Sequence, residues 1–308
     1  MNCGFGPVPD AYKVHRRISV TKALRLLKCP AKFKYEIDHP AERTRVMRQG
    51  SMVDAFILSP NEFFKTYEVL DKSKYLVDTE SYKARLKEHG LPVTGTKEVL
   101  KHRLLDNNKA FRMEFLDEYQ KEVKKEFITQ DDMIELIAIK ESLYKNKAII
   151  QDFGPVDQGM NQVLGWKYVP EYDLVLTFKL DRIYNGKIID IKKTPSCEYY
   201  KFQRKVQEEG LFIQAASYMW LMKDMSETKD FMFYAYEHEG PYIWSAFKMI
   251  PQFLDEGLSE LFRALRMFNE CMDNDYWPAY DNRIMDLHPS AWFIDSLERK
   301  RENELGEQ

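Results

Sequence analysis

From Asp173 to Thr194 the chain reads DLVLTFKLDRIYNGKIIDIKKT. Leu174, Leu176, Phe178 and Leu180 alternate with other residues, the two-residue period of a strand. Asn185-Gly186 is the strongest short signal for a two-residue hairpin turn. Lys187 to Lys192 then returns with Ile189 and Ile191 on one face and Asp190 and Lys192 on the other. Counting back from the turn sets Tyr184 against Lys187, Asp181 against Asp190 and Lys179 against Lys192. Directly opposed residues have Cβ atoms roughly 4.5–5.5 Å apart, and like charges there are destabilising. Two carboxylates across one ladder therefore need a neutralising partner, and hard oxygen ligands suit Mg²⁺ or Mn²⁺.

Elsewhere the pattern is mostly helical. Residues 1–14 look irregular. A short helix follows Ser19, with Val20, Ala23, Leu24 and Leu27 on its apolar face, and Pro30 stops it after Lys28. A second helix runs from about Glu42 to Leu58. Residues 75–106 read as helix–loop–helix, with Gly90 closing the first helix and Thr96 capping the second. A charged helical stretch fills 109–148, and the hairpin comes next. Glu208 to Met222 forms an amphipathic helix with Leu211, Phe212, Ala215, Met219 and Trp220 inward. Phe231–Tyr236 and Tyr242–Lys248 are strands, Pro251–Met272 is a last long helix, and residues 298–308 form a disordered tail. The expected division is a helical part at 15–74, an insertion at 75–106 and a core at 107–297.

At 308 residues the chain can bury a full core, as one large domain or two smaller ones. Net charge is −3, so nucleic-acid binding would need a local basic patch. Two stretches offer one. Lys13–Lys34 holds eight Lys/Arg and no Asp/Glu, including Arg16, Arg17, Lys22 and Arg25. The 75–106 unit carries Lys83, Arg85, Lys87, Lys97, Lys101 and Arg103 around an expected small core of Leu86, Leu91, Val99, Leu100 and Leu104. A solvated helix face and a charged helical hairpin without a partner are the plain alternatives. Cys3, Cys29, Cys197 and Cys271 are far apart, which argues against a zinc ribbon and fits a reducing cytoplasm. No signal-peptide core and no run of about 18 apolar residues occurs, so no membrane partner is expected.

Two carboxylates and a lysine suit phosphodiester hydrolysis. The acids hold a cation that polarises the phosphate and lowers the pKa of bound water. The lysine orients or helps deprotonate that water and offsets charge on the phosphorane. A bare D-x-K occurs by chance in many exposed hairpins. The opposed Asp181 strengthens it here, as do Gln214 and Tyr218 in QAASY, which project from one helical face at i and i+4.

With these residues in place, the chain resembles the PD-(D/E)xK nucleases of the RecB/lambda-exonuclease group, and among them the RecE-type nuclease domain. ISVTKALRLLKCPAKFKYE is similar to the family's entry helix, and RQGSMVDAFILSPNEFF to its G-x₃-H helix and the segment after it. LDRIYNGKIIDIKKT resembles the core motif and DNDYWPAY the C-terminal W-P stretch. The resemblance covers most of 15–295, excluding about 75–150. It implies an α/β, restriction-endonuclease-like fold, a mixed central sheet flanked by helices. It implies that Asp181 and Asp190 bind Mg²⁺ (with Mn²⁺ substituting), that Ile191 belongs to the metal set, and that Lys192 is the catalytic lysine. Gln214 and Tyr218 would support the site. Asp54 stands where many relatives carry a metal-binding histidine, the upstream glutamate falls near Asn161 or Gln162, and Leu180 replaces the signature proline. Iron–sulfur relatives need three clustered C-terminal cysteines; only Cys271 is there, so no iron–sulfur cluster is expected.

SYKARLKEHGLPVTGTKEVLKHRLL also resembles a SAP motif, a small helix–loop–helix DNA-binding unit. Together the resemblances imply exonucleolytic cleavage of double-stranded DNA, 5′→3′, leaving 3′ single strands for an annealing protein. They also imply a homo-oligomeric ring, a phage or prophage origin and a cytoplasmic location. A catalytically weak DNA-binding protein on the same fold, a structure-specific endonuclease and a scaffolding protein stay open as rivals.

Overall fold

The computed structural model describes residues 2–41, 45–71 and 74–306. Nine strands occur among them: β1 (Cys3–Phe5), β2 (Arg16–Ser19), β3 (Tyr67–Val69), β4 (Glu126–Ile128), β5 (Met160–Val169), β6 (Leu174–Tyr184), β7 (Lys187–Thr194), β8 (Asp230–Glu237) and β9 (Trp244–Lys248). The helices are α1 (Val20–Lys28), α2 (Pro30–Asp38), α3 (Arg45–Leu58), α4 (Pro60–Thr66), α5 (Thr79–Glu88), α6 (Lys97–Asn107), α7 (Leu116–Glu122), α8 (Gln130–Lys145), α9 (Lys147–Phe153), α10 (Tyr199–Glu208), α11 (Leu211–Met222), α12 (Pro251–Asn274) and α13 (Ala291–Gly306).

The alternation at Leu174 builds β6, the axis of a mixed sheet ordered β1-β5-β6-β7-β8-β9. The predicted turn forms at Asn185-Gly186, both residues in the left-handed region that a two-residue hairpin demands. β7 and β8 run parallel, joined by α10 and α11, and the other neighbours along that path are antiparallel. Parallel pairing needs a crossover of a dozen or more residues, which those two helices supply.

Each sheet face carries its own core. Leu174, Leu176, Phe178 and Leu180 meet α1, α11 and α12 on one face. Ile189, Ile191, Tyr234 and Tyr236 meet α3, α4, α8 and α9 on the other. The expected restriction-endonuclease-like layering, helices on both sides of a mixed sheet, is what these two cores build. Trp277, in the W-P stretch, packs on Phe33 and Phe268 and ties α2 to the end of α12.

Several local expectations are corrected. Residues 1–14 are not irregular throughout, because Cys3–Phe5 pairs with β5 and forms the edge of the sheet. In α1, Leu26 is fully buried, while Leu24 and Leu27 pack partly exposed at the rim. Pro30 ends one helix by starting another, standing at its first turn where a missing N–H costs nothing. Residues 42–44, the expected start of α3, lie outside the described residues. The charged stretch 109–148 is interrupted by β4, which pairs in parallel with β3. The tail from 298 continues as α13 to Gly306 instead of being disordered.

The insertion is larger than its motif. Thr96 caps α6 by accepting from Val99 N–H, as expected. The small core, however, is Tyr82, Leu86, Leu100, Leu104, Phe111 and Phe115, with Leu91 partly buried and Val99 exposed. Leu76 bridges to Phe115, and Arg85 pairs with Glu114 at 2.8 Å. The unit therefore runs past residue 106, and the β3–β4 pair closes its base. The end of β3 and the start of β4 lie about 8 Å apart, two residue rises along a parallel pair and one strand spacing across it.

Replacing residues 70–125 by a short Gly/Ser linker should leave both sheet cores folded, with a single cooperative melt. Removing only 75–106 should uncover Phe111 and Phe115 and give a protein that binds hydrophobic dye or aggregates. Equal behaviour of the two deletions in melting and dye-binding assays would show that the unit ends at 106.

Candidate active site

Along one edge β6 is paired by β5 over nearly its whole length. The opposite edge is shared. β2 holds it from Leu174 to Thr177 and β7 from Arg182 to Tyr184. Between them, Phe178 to Asp181 face an opening. The hairpin register counts correctly for Tyr184 with Lys187, Ile183 with Ile188 and Arg182 with Ile189, and then the strands part. β7 pairs instead with β8 along all eight of its residues. Asp181 and Asp190 stand at the crotch of this fork, with Lys179 on one prong and Lys192 on the other. Asp181 Oδ2 accepts the Ile191 N–H at 2.9 Å, so a side chain takes the rung the backbone gave up.

A cavity of about 540 Å³ opens at the fork. It is lined by Asp54 and Ser51 from α3, by Lys179, Asp181, Asp190, Ile191 and Lys192, and by Gln214 and Tyr218 from α11. Ser19, Val20 and Thr21 border it where β2 becomes α1, and Gly6, Pro7 and Val8 cross its rim. A larger cavity, about 940 Å³, lies between the ends of α11 and α12 and contains none of these acids.

The cluster is electrostatically crowded. Burial, then the neighbouring Asp190, push the Asp181 carboxyl up to about 7, against the pull of Lys192 and the Ile191 N–H. Asp54 is raised well above the usual carboxylate range by burial and by both Asp181 and Asp190. Asp190 is only 3% exposed, and burial raises it too. Lys192 Nζ stands 2.6 Å from Asp190 Oδ2. Burial alone would lower Lys192, but the charges of Asp190 and Asp181 outweigh it and keep the ammonium charged. Gln214 Nε2 donates to Asp190 Oδ1 at 3.3 Å and to the Tyr218 hydroxyl at 3.0 Å. The i, i+4 pair thus faces the site as its spacing required.

Asp190 Oδ2 is buried, and the Lys192 ammonium at 2.6 Å is its close polar neighbour. Among the described residues no three His, Cys, Asp or Glu side chains converge tightly enough to cage an ion alone. The acidic side chains lining the cavity are Asp54, Asp181 and Asp190, with Ile191 beside them. Three buried or half-buried carboxylates with a single close ammonium among them form an oxygen-rich set that fits a hard divalent cation.

Other expected residues lie elsewhere. Asn161 accepts from Arg182, a fully buried guanidinium that also donates to the Phe153 and Pro155 carbonyls. Asn161 therefore holds the α9–β5 connection. Gln162, at φ 51° and with its amide nitrogen buried and unbonded, does not line the cavity. Of the proposed DNA contacts, Arg16 pairs with Asp273 and Arg25 with Glu36, while Arg17 and Lys22 are exposed. In the insertion Lys83 pairs with Glu80, Arg85 with Glu88 and Glu114, and Lys101 with Asp117 and Glu118. Lys97 and Arg103 bond backbone carbonyls, and Lys87 is exposed. Lys179, which register counting sets opposite Lys192, also lines the cavity, and no motif points to it.

Fold and site together define a PDDEXK-like protein. The chain matches the model of the PDDEXK-like domain of unknown function DUF3799 over residues 19–285 and belongs to that family. Its fold is similar to that of a Eubacterium rectale protein described as a "Putative exonuclease", at TM-score 0.55 and 14% identity, covering 96% of this chain and 98% of that one. A phage related exonuclease from Haemophilus somnus 129PT aligns over 45% of this chain and 74% of its own, at 11% identity and TM-score 0.28, too little shared geometry to bear on the fold. No curated protein is similar in sequence to this chain.

Charge crowding gives opposite mutational effects. In metal-free buffer Asp54→Asn should raise Tm by roughly 2–4 °C, the shift that about 1 kcal/mol gives a domain of some 150–250 residues. Lys192→Met leaves buried carboxylates uncompensated, a loss of about 3–5 kcal/mol, and should lower Tm by roughly 10 °C. Differential scanning calorimetry checks both; a fall in Tm for Asp54→Asn would contradict the crowding.

Proposed function

We propose that this protein is a metal-dependent exodeoxyribonuclease that hydrolyses linear double-stranded DNA, 5′→3′, leaving 3′ single strands. The observation that carries the reading is the fork itself: Asp181 and Asp190 at its crotch, Asp54 beside them, and Lys192 held charged against Asp190 in an open cavity. The family match supports the nuclease class. The description of the Eubacterium rectale relative favours an exonuclease.

Asp181 and Asp190 would hold Mg²⁺ or Mn²⁺, joined by Asp54 and the Ile191 carbonyl. The bound ion supplies Lewis acidity toward the phosphate and a more acidic water. The chain's own groups do the rest. Lys192, kept protonated, is unsuited to take a proton; it orients the attacking water and offsets the charge that grows on the phosphoryl oxygens. Gln214 fixes Asp190 through one carboxylate oxygen. The Tyr218 hydroxyl, held protonated first by burial and then by the charge of Asp190, anchors Gln214.

Duplex DNA would approach over Arg17 and Lys22. The SAP-like insertion would add contacts by exchanging its exposed ion pairs for phosphates. Such pairs are worth only about 0–1 kcal/mol, so the exchange costs little. The 3′ strands would pass to a single-strand annealing protein, and the enzyme would act as a homo-oligomeric ring in the cytoplasm, a phage or prophage product. These points rest on the resemblance.

The deciding assay incubates purified protein with linear and closed-circular duplex. Loss of the linear form alone, in Mg²⁺ or Mn²⁺ and not in EDTA, is expected. Asp190→Asn should reduce the rate at least about a hundredfold, since it weakens the hold on the ion, and losing one stabiliser of transition-state charge costs about 10²–10³. Cutting of circles would identify an endonuclease, and binding without cutting in either metal a DNA-binding protein.

A further inference from the structure

Two lysines face the acid cluster, and they are held differently. Lys192, on the β7 prong, is folded back onto Asp190. Lys179, on the β6 prong, lies two residues before Asp181 in the same cavity wall and is exposed. No hydrogen bond or ion pair holds its ammonium among the described residues. The surrounding wall explains why. Its register partner on β5 is Leu164, followed by Gly165, where a Cβ would fall 2.2 Å from the Phe178 ring. That wall is backbone and apolar surface, so no acid of β5 claims the lysine. The acids that feel its charge are Asp54 and Asp181, both lowered by it, at a range that leaves it unpaired.

We infer that Lys179 binds the backbone phosphate next to the scissile one in a DNA strand entering the fork. This rests on the nuclease reading above. The geometry separates two duties. Asp181 and Lys179 are about 6.6 Å apart along the strand. A phosphate at the carboxylates therefore leaves Lys179 free for its neighbour, while Lys192 stays with the reacting group. An exposed, unpaired ammonium is also the cheaper one to desolvate against a phosphate, because no existing ion pair must break.

The test uses Asp190→Asn protein in Mg²⁺, so that DNA binds without being degraded, and reads fluorescence anisotropy of a flush-ended duplex oligonucleotide at several KCl concentrations. Adding Lys179→Gln should raise Kd roughly tenfold, the weight of a hydrogen bond to a charged group. The slope of log Kd against log salt should fall by roughly 0.7–0.9, one phosphate's share. Lys179→Arg should keep both near the starting values. Neutral methylphosphonate linkages are then placed singly beside the terminal linkage. At one position the starting protein should lose the same factor, and the Lys179→Gln protein nothing more. Unchanged Kd and slope for Lys179→Gln, or losses that multiply at every linkage, would overturn the inference. Failure of the starting protein to bind duplex would instead overturn the nuclease reading, and this one with it. Matching thermal melts separate both results from misfolding.

Discussion

Two carboxylates cannot face each other across a closed ladder without a counter-charge, and this protein answers by opening the ladder. β7 leaves β6 after three residue pairs and takes β8 as its partner. The parting places Asp181 and Asp190 at a crotch, lets Asp181 accept the Ile191 N–H, and leaves room for Asp54 to approach from α3. Lys192 supplies the compensating charge from inside the cluster. The cavity, the raised carboxylates and the position of the second lysine all descend from that one divergence.

Helices on the two faces have different tasks around the fork. α11 brings Gln214 and Tyr218 against Asp190 from one face, and α3 brings Asp54 from the other. Both helices are seated by apolar cores that run the length of the sheet. Polar groups at the site are therefore placed by packing several residues away, and Arg182, Phe153 and Asn161 brace the sheet from behind through bonds that never enter the cavity.

What was legible in the sequence was whatever depends on near neighbours. The Asn185-Gly186 turn, the first three pairs of the hairpin, the i, i+4 relation of Gln214 and Tyr218 and the Thr96 cap are all local, and the structure keeps them. The place of Asp54 came from family resemblance, because nothing within α3 points to a partner on β6. Three-residue strands such as β1, β3 and β4 carry too few residues for a period and exist through their partners. The extent of the insertion was hidden for a similar reason: Phe111 and Phe115 read as part of a charged helix until Leu76 and Tyr82 are seen against them. Five of the basic residues of that unit, Lys83, Arg85, Lys97, Lys101 and Arg103, are bonded to groups the linear order does not reveal.

The fork has a mechanical consequence. Each prong is gripped along its outer edge, β6 by β5 and β7 by β8, so neither can swing to meet a ligand. A stiff receptor transfers the work of distortion to its guest. A site of this build selects its guests by how readily they yield.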